Sequence, residues 1–364
     1  MPSDFTANAR FSLRPRLRRA EPSADFPDRR ADPMQTQAIL FEAAQRVALA
    51  TIEIPEPEPG EVLVRAAYTC ISPGTELRCL SGRQPGSPDY PYIPGYALTG
   101  TVEAAGPGTK LEIGTPVLCS GTQRASVARC WGGHTGLAVL PAANAFVLPE
   151  GISLMQASIA PMAAIAYHGL RVARPMLRER VAALGLGLIG QMAARLYRLA
   201  GTQIVAADRS PNRVRIAQEA GVEAIVVHSS LEEAFRPHFP EGADLIVDST
   251  GVPGVIPQAV ALAKSLPWDD TPVPPARYLV QGSYPADFAI PYQEAFVKEL
   301  TFQIPRNYQP GDLRAVLDLI GTGKLNVDNL IGSPQDPAQA QEIYASLQDP
   351  HGERLTAVFA WNAD

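Results

Sequence analysis

Apolar and polar residues follow two different textures along this chain. From Gln37 to about Leu148 the apolar residues come in short runs broken by Gly and Pro. Ala38–Phe41, Glu61–Tyr68, Gly100–Ala105 and Pro116–Ser120 read as strands, with a turn cluster at Pro55, Pro57 and Pro59-Gly60. From Ser153 onward strands alternate with helices. Arg180–Leu184 is a short β-rich run, after which Ile189, Met192, Ala193, Leu196 and Ala200 recur at helical spacing and Gly201 closes the helix. Gln203–Ala207 reads as the next strand, and Ser210, Pro211 and Gly221 suit the cap, first position and end of the next helix. Ala224–Val227, Asp244–Val247 and Tyr278–Gln281 complete a β-α-β-α-β series, which predicts a doubly wound parallel sheet. Beyond Pro285 the text is irregular, with a helix near Asp312–Thr322 and a last strand at Leu355–Trp361 that is expected to complete an earlier domain.

Composition narrows the function. The net charge of −6 is small and acidic, which argues against a polyanionic partner, so no nucleic acid is expected. No uncharged apolar run is long enough to span a membrane. Cys70, Cys79, Cys119 and Cys130 include no closely spaced pair, which excludes a zinc knuckle and reads as reduced cytoplasmic thiols. Residues 1–33 carry seven Arg against five acids and no apolar core of a signal peptide; they read as a disordered extension or an over-long start before a fold beginning near Met34.

The strongest chemical motif is Gly185-Leu186-Gly187-Leu188-Ile189-Gly190, set between a strand and a helix, with Asp208 at the next strand end 18 residues beyond Gly190. Such glycines admit a pyrophosphate, which the amides of Leu188 and Ile189 then face. Asp208 suits ribose hydroxyls and opposes a 2′-phosphate, so NAD(H) is favoured over NADP(H). Arg209 is placed to stack on adenine or to tolerate a 2′-phosphate.

With these motifs the chain resembles the medium-chain dehydrogenase/reductase superfamily over about residues 36–364. The likeness rests on the mid-chain glycine motif, the Asp208…Arg213 spacing, Pro73-Gly74-Thr75-Glu76, Pro94-Gly95-Tyr96 and Gly132-Gly133. Ile71–Glu76, Ser81-Gly82-Arg83 and Tyr92–Tyr96 narrow it toward the bacteriochlorophyllide a dehydrogenase-like subgroup, although Gly95-Tyr96-Ala97 departs from the Gly-Tyr-Glu expected there. The resemblance implies a GroES-like β-rich catalytic domain interrupted by a Rossmann domain. The boundaries expected are 34–152 for its first part, 153–288 for the Rossmann domain and 289–364 for the return. It also implies a homodimer.

The catalytic-zinc ligands of that family fall at Pro73, Tyr96 and Pro161–Met162, so no zinc and no metal site is expected. Tyr96 is read as the hydrogen-bond partner of the substrate oxygen, or as packing in the cleft wall. Thr75, at the family's proton-relay position, assists it or stabilises the turn. Glu76, His168 and Tyr284 are further cleft candidates, with Glu76 orienting the turn or pairing with an Arg. His134 reads as a loop residue, and Arg78 and Arg83 as solvated or as contacts for a substrate carboxylate. The expected activity is NAD(H)-dependent, zinc-independent interconversion of a small-molecule secondary alcohol and a ketone. A quinone or enone reductase and a non-catalytic nucleotide-binding protein are the alternatives.

Overall fold

The computed structural model describes residues 33–269, 271–284, 287–349 and 354–361. The extension expected over 1–33 therefore lies, apart from Pro33, outside the described residues. The first strand is Met34–Ala43, and it pairs antiparallel with Arg46–Ile54 along almost its whole length. The sequence reading passed over this second strand because its turn carries no Gly, Asn or Asp; Gln45 takes the left-handed position instead, at φ +63°.

A second antiparallel sheet is centred on Glu61–Cys70, which pairs on one side with Leu98–Ala105. Its other side pairs first with Leu137–Pro141 and then, at Tyr68–Cys70, with Val358–Ala360. The end of the chain thus returns to the sheet of its first half. The third sheet is wholly parallel. Its spatial order is Ala224–Val226, Gln203–Asp208, Arg180–Leu184, Leu245–Asp248, Arg277–Val280 and Thr301–Gln303. Its inner strands are runs of Ala, Val and Leu because helices cover both faces. The sixth strand lies beyond residue 288, where the sequence reading ended the parallel-sheet region. It is only three residues long and none is fully buried, so it carried no apolar run.

Helix Leu188–Leu199 follows the first parallel strand and starts on Gly187, with Gly190 on its inner face. A Cβ on Gly190 would stand 1.7 Å from the carbonyl oxygen of Gly185, so the helix can approach the strand only because no side chain is there. A Cβ on Gly187 would meet nothing within 4 Å, and its φ of −65° suits any residue. Ser210 caps the next helix, Pro211–Glu219, through its hydroxyl and the amide of Arg213 at 3.4 Å, as expected.

The returning C-terminal segment is locked to the first half by a buried polar cluster. Helix Pro73–Leu80 begins after Ser72, and Glu76 turns back toward the helix start to accept from the Ser72 amide at 2.7 Å. Its other oxygen meets His134 Nε2 at 2.9 Å and accepts from the Tyr344 phenol. His134 Nδ1 lies 2.7 Å from Thr69 Oγ1, which also accepts from Trp361 Nε1 at 2.9 Å. Glu76 and His134 are both fully buried. Among the described residues no helix is long and apolar enough to cross a membrane.

Two stability outcomes follow from these contacts. Gly190→Ala is expected to lower the thermal midpoint strongly, with a cost of roughly 1–3 kcal/mol or more for overpacking, while Gly187→Ala melts with the parent protein; differential scanning calorimetry separates them. Tyr344→Phe removes one donor from the buried Glu76 and is expected to lower the unfolding free energy by about 1–3 kcal/mol, read from urea titration.

Candidate active site

Tyr96 sits in the loop between Tyr92-Ile93 and Leu98–Ala105. Gly95 before it takes φ +85°, and a Cβ there would be 2.5 Å from the ring of His134. The buried His134 ring thus occupies the place of a side chain at residue 95, and the backbone turns Tyr96 away from it. The Tyr96 phenol donates to Ser72 Oγ at 2.5 Å. Thr75 lies in the first turn of the helix that Ser72 precedes, near the same phenol. Burial pushes the phenol well above its usual range; the Ser72 and Thr75 hydroxyls pull it back, and the nearby Glu76 charge adds to the rise. Tyr96 is therefore a proton donor at neutral pH, not a phenolate.

Beside this phenol lies a cavity of about 270 Å³, walled by Leu118, Phe146, Pro161, Tyr308 and Leu313, with Ser120 and Asn144 as polar members. Pro161 opens helix Ala160–Ala173. Two of the positions where the family carries zinc ligands thus meet in one cavity, but as a proline and a protonated phenol. The third, Pro73, offers no donor atom, and among the described residues no three His, Cys, Asp or Glu side chains converge. This donor set does not fit tetrahedral zinc.

The nucleotide loop forms at the carboxyl end of the parallel strands. Gly185 takes φ +83° against Thr250, and the open space above Gly187 faces the first-turn amides of Leu188 and Ile189. Asp208 ends the adjacent strand; its oxygens accept from the amides of Leu186 at 2.6 Å and Ser210 at 2.8 Å. Arg213 Nη1 stands 3.9 Å from the same carboxylate, while Arg209 is exposed beside it. Gln191 ties the two helices together by donating to the Arg213 carbonyl at 2.7 Å. Gly185, Gly187, Leu188, Ile189, Asp208, Arg209 and Arg213 thus lie in the turns and helix starts that follow two adjacent parallel strands, with Gly190 packed against Gly185, and their chemistry suits a dinucleotide.

Three cleft candidates are placed elsewhere. Glu76 is enclosed by Ser72, His134 and Tyr344 and pairs with no arginine, because it folds back over its own helix start. His168 Nδ1 bonds Asp312 at 2.8 Å, and Arg171 one turn on bonds the same carboxylate. The pair fastens helix Ala160–Ala173 to the start of Pro310–Gly321. The Tyr284 phenol donates to the buried Asp248, which also accepts from Tyr278 at 2.7 Å and from the Thr250 hydroxyl at 2.7 Å. Tyr284 does not line the Tyr96 cavity. His134 lies in a loop, as expected, but its side chain is fully buried. Arg78 is half-buried and donates to Gln84 at 3.0 Å, so it is less solvated than expected.

Sequence reasoning missed Ser72, Tyr308 and Trp131. Ser72 stands inside the Ile71–Glu76 block already singled out, and its position before a Pro-initiated helix was the available signal. Trp131 immediately precedes Gly132-Gly133, and its ring meets the Tyr96 ring edge-on at 5.4 Å.

Residues 58–150 match the family model for the alcohol dehydrogenase GroES-like domain, and residues 189–266 match that for zinc-binding dehydrogenase. A 2-desacetyl-2-hydroxyethyl bacteriochlorophyllide A dehydrogenase of Cereibacter sphaeroides is 29% identical over 341 residues, covering 91% of this chain and 99% of that protein. The protein of the same name from Rhodobacter capsulatus is 29% identical over 334 residues, 90% of this chain and 99% of its own. Among solved structures, 2R,3R-butanediol dehydrogenase from Bacillus subtilis superposes with a TM-score of 0.78 at 20% identity, covering 90% of this chain and 100% of that one. An Escherichia coli alcohol dehydrogenase complexed with NADH superposes with a TM-score of 0.77 at 22% identity, covering 90% of this chain and 99% of that one. The two matched domains, the three sheets and the full-length relatives agree, and the chain belongs to the medium-chain dehydrogenase/reductase superfamily of oxidoreductases.

Proposed function

We propose that this oxidoreductase interconverts a secondary alcohol and a ketone by hydride transfer with NAD(H), without zinc. The observation that carries the reading is the Tyr96 phenol, bonded to Ser72 and lining a cavity of about 270 Å³ at a position where the family places a metal ligand. The two bacteriochlorophyllide relatives are named for a hydroxyethyl group, which supports an alcohol carbon as the reacting centre.

In this reading Gly185 and Gly187 give the pyrophosphate room, and the Leu188 and Ile189 amides face it. Asp208 accepts from the ribose hydroxyls, and its charge opposes a 2′-phosphate. The nicotinamide, when bound, supplies or accepts the hydride. Tyr96 gives up its bond to Ser72 and donates to the substrate oxygen. In ketone reduction the phenolic proton passes to the developing alkoxide, and the Ser72 and Thr75 hydroxyls steady the phenolate left behind. A raised phenol keeps its proton at neutral pH, as this direction requires, whereas alcohol oxidation would need the phenolate to be populated, which is the opposite shift.

A homodimer accompanies the reading. Thr301–Gln303 is the open edge of the parallel sheet. Beside it an apolar groove of about 580 Å³ is lined by Trp268, Ile290, Tyr292 and Phe296, all exposed. An uncovered strand edge flanked by such a patch suits a second copy of the same chain.

Tyr96→Phe is expected to lower kcat/KM for ketone reduction about 10²-fold or more while NADH affinity holds. In the parent protein the reduction rate stays flat through pH 10, because the active acid form persists above the usual tyrosine range. Turnover with NADH in preference to NADPH, unaffected by dialysis against a chelator, is the expected result. Loss of activity on chelation with recovery by zinc, or enone reduction with NADPH preferred, overturns the reading. For the dimer, Phe296→Asp is expected to halve the mass measured by light scattering; an unchanged mass removes this surface as the contact.

A further inference from the structure

The four cysteines are of two kinds. Cys70 and Cys119 sit in separate apolar clusters, and burial pushes each thiol up to about 12. Cys79 and Cys130 come from distant parts of the chain but share one cluster, where both are buried. The hydroxyl of Ser87 stands 3.8 Å from the Cys79 sulfur and 3.7 Å from the Cys130 sulfur. The two thiols also act on one another. Cys79 pulls the Cys130 thiol down to about 7 against the effect of burial, while Cys130, together with burial, pushes Cys79 up. One thiol of the pair is thus partly ionised at neutral pH and the other holds its proton. The backbones behind them are fixed. Cys79 lies in the last turn of helix Pro73–Leu80, and its carbonyl accepts from the phenols of Tyr90 and Tyr92, each at 2.9 Å. Cys130 N donates to Ile93 O at 2.8 Å, just past the pairing of Ala128-Arg129 with Tyr92-Ile93. Ser87 is half-buried in a surface segment, with Gly86 beside it exposed.

We infer that Cys79 and Cys130 form a peroxide-sensitive dithiol, a reversible modification site beneath the segment that carries Ser87. The Cys130 thiolate attacks one oxygen of hydrogen peroxide and the O–O bond breaks. Cys130 becomes a sulfenic acid, and the departing hydroxide takes up the proton that Cys130 released, leaving as water. The Cys79 sulfur then attacks the Cys130 sulfur. The S–S bond forms, the S–O bond breaks, and the hydroxyl leaves as water with the Cys79 proton. The dithiol has lost two electrons and two protons, and the peroxide has become two waters. A thiol reductant reverses the reaction by exchange. The sulfurs are unbonded in this structure, and drawing them to about 2 Å pulls on the backbone from which Trp131 follows. The Trp131 ring meets Tyr96 edge-on at 5.4 Å, and the helix that ends beside Cys79 begins after Ser72, which holds the Tyr96 phenol. Oxidation therefore reaches the surroundings of Tyr96, whatever part Tyr96 plays in turnover.

The test treats the full-length protein with hydrogen peroxide, then unfolds it and labels its thiols with iodoacetamide. Cys70 and Cys119 are expected to keep their label, and Cys79 and Cys130 to lose theirs together. A digest is expected to contain one peptide pair joined through Cys79 and Cys130, absent after dithiothreitol. Dimedone, which traps sulfenic acids, is expected to label Cys130 in Cys79→Ser about tenfold more than it labels Cys79 in Cys130→Ser, because the serine hydroxyl keeps a hydrogen-bond donor beside Cys130. The part of the tryptophan emission that Trp131→Phe removes is expected to change on oxidation and to return on reduction. Full labelling of all four cysteines after peroxide overturns the inference, as does a disulfide between any other cysteines or between two chains. Equal dimedone labelling in the two serine variants overturns the assignment of Cys130 as the attacking thiol, and an unmoved Trp131 emission overturns the coupling to Tyr96. Should a variant fail to fold, the labelling pattern and the joined peptides of the parent protein decide alone.

Discussion

One fully buried carboxylate organises the antiparallel half of this protein. Glu76 must be compensated on every side, because a lone charge inside a protein costs several kcal/mol or more. Its compensation comes from three separate places in the chain: the start of its own helix through Ser72, the segment before Leu137–Pro141 through His134, and the helix Ala340–Leu347 through Tyr344. Two of these contacts also have a second task. Ser72 receives the Tyr96 phenol, and His134 fills the space that obliges residue 95 to be glycine. The geometry of Tyr96 is therefore a consequence of how Glu76 is neutralised.

The parallel sheet was legible in the sequence because its signals are local. Arg180–Leu184 occupies the span expected of it, and the helix after it and the cap at Ser210 differ from expectation by a residue or so at most. Strand periodicity, a glycine loop and a capping serine each act within a few residues. The antiparallel half was read less fully. Its hairpin at Gln45 uses a residue without turn chemistry, and several of its strands have only two residues. Such strands exist because of their neighbours, not because of their own pattern.

The site divides along the same line. The residues proposed to hold the nucleotide follow two adjacent parallel strands, a placement that the local spacing of the motif already implies. Glu76, His168 and Tyr284 were placed in the cleft because residues near them in sequence are there. Each instead turns toward a partner far along the chain: Tyr344, Asp312 and Asp248. A titratable side chain is drawn to its best long-range partner, and no local pattern encodes where that partner is. Trp131 was missed for a related reason, since its contact with Tyr96 arises only when Gly133 lies on Gly95.

The antiparallel pairing of Val358–Ala360 with Tyr68–Cys70 has a consequence for the order in which the molecule can assemble. Synthesis proceeds from the first residue, so every strand of the parallel sheet has left the ribosome before the edge of the first sheet has its partner. Until Tyr344 and Trp361 emerge, Glu76 and Thr69 lack donors that they hold in the finished fold. The parallel sheet can therefore be complete while the layer carrying Tyr96 still waits for Tyr344 and the Val358–Ala360 strand.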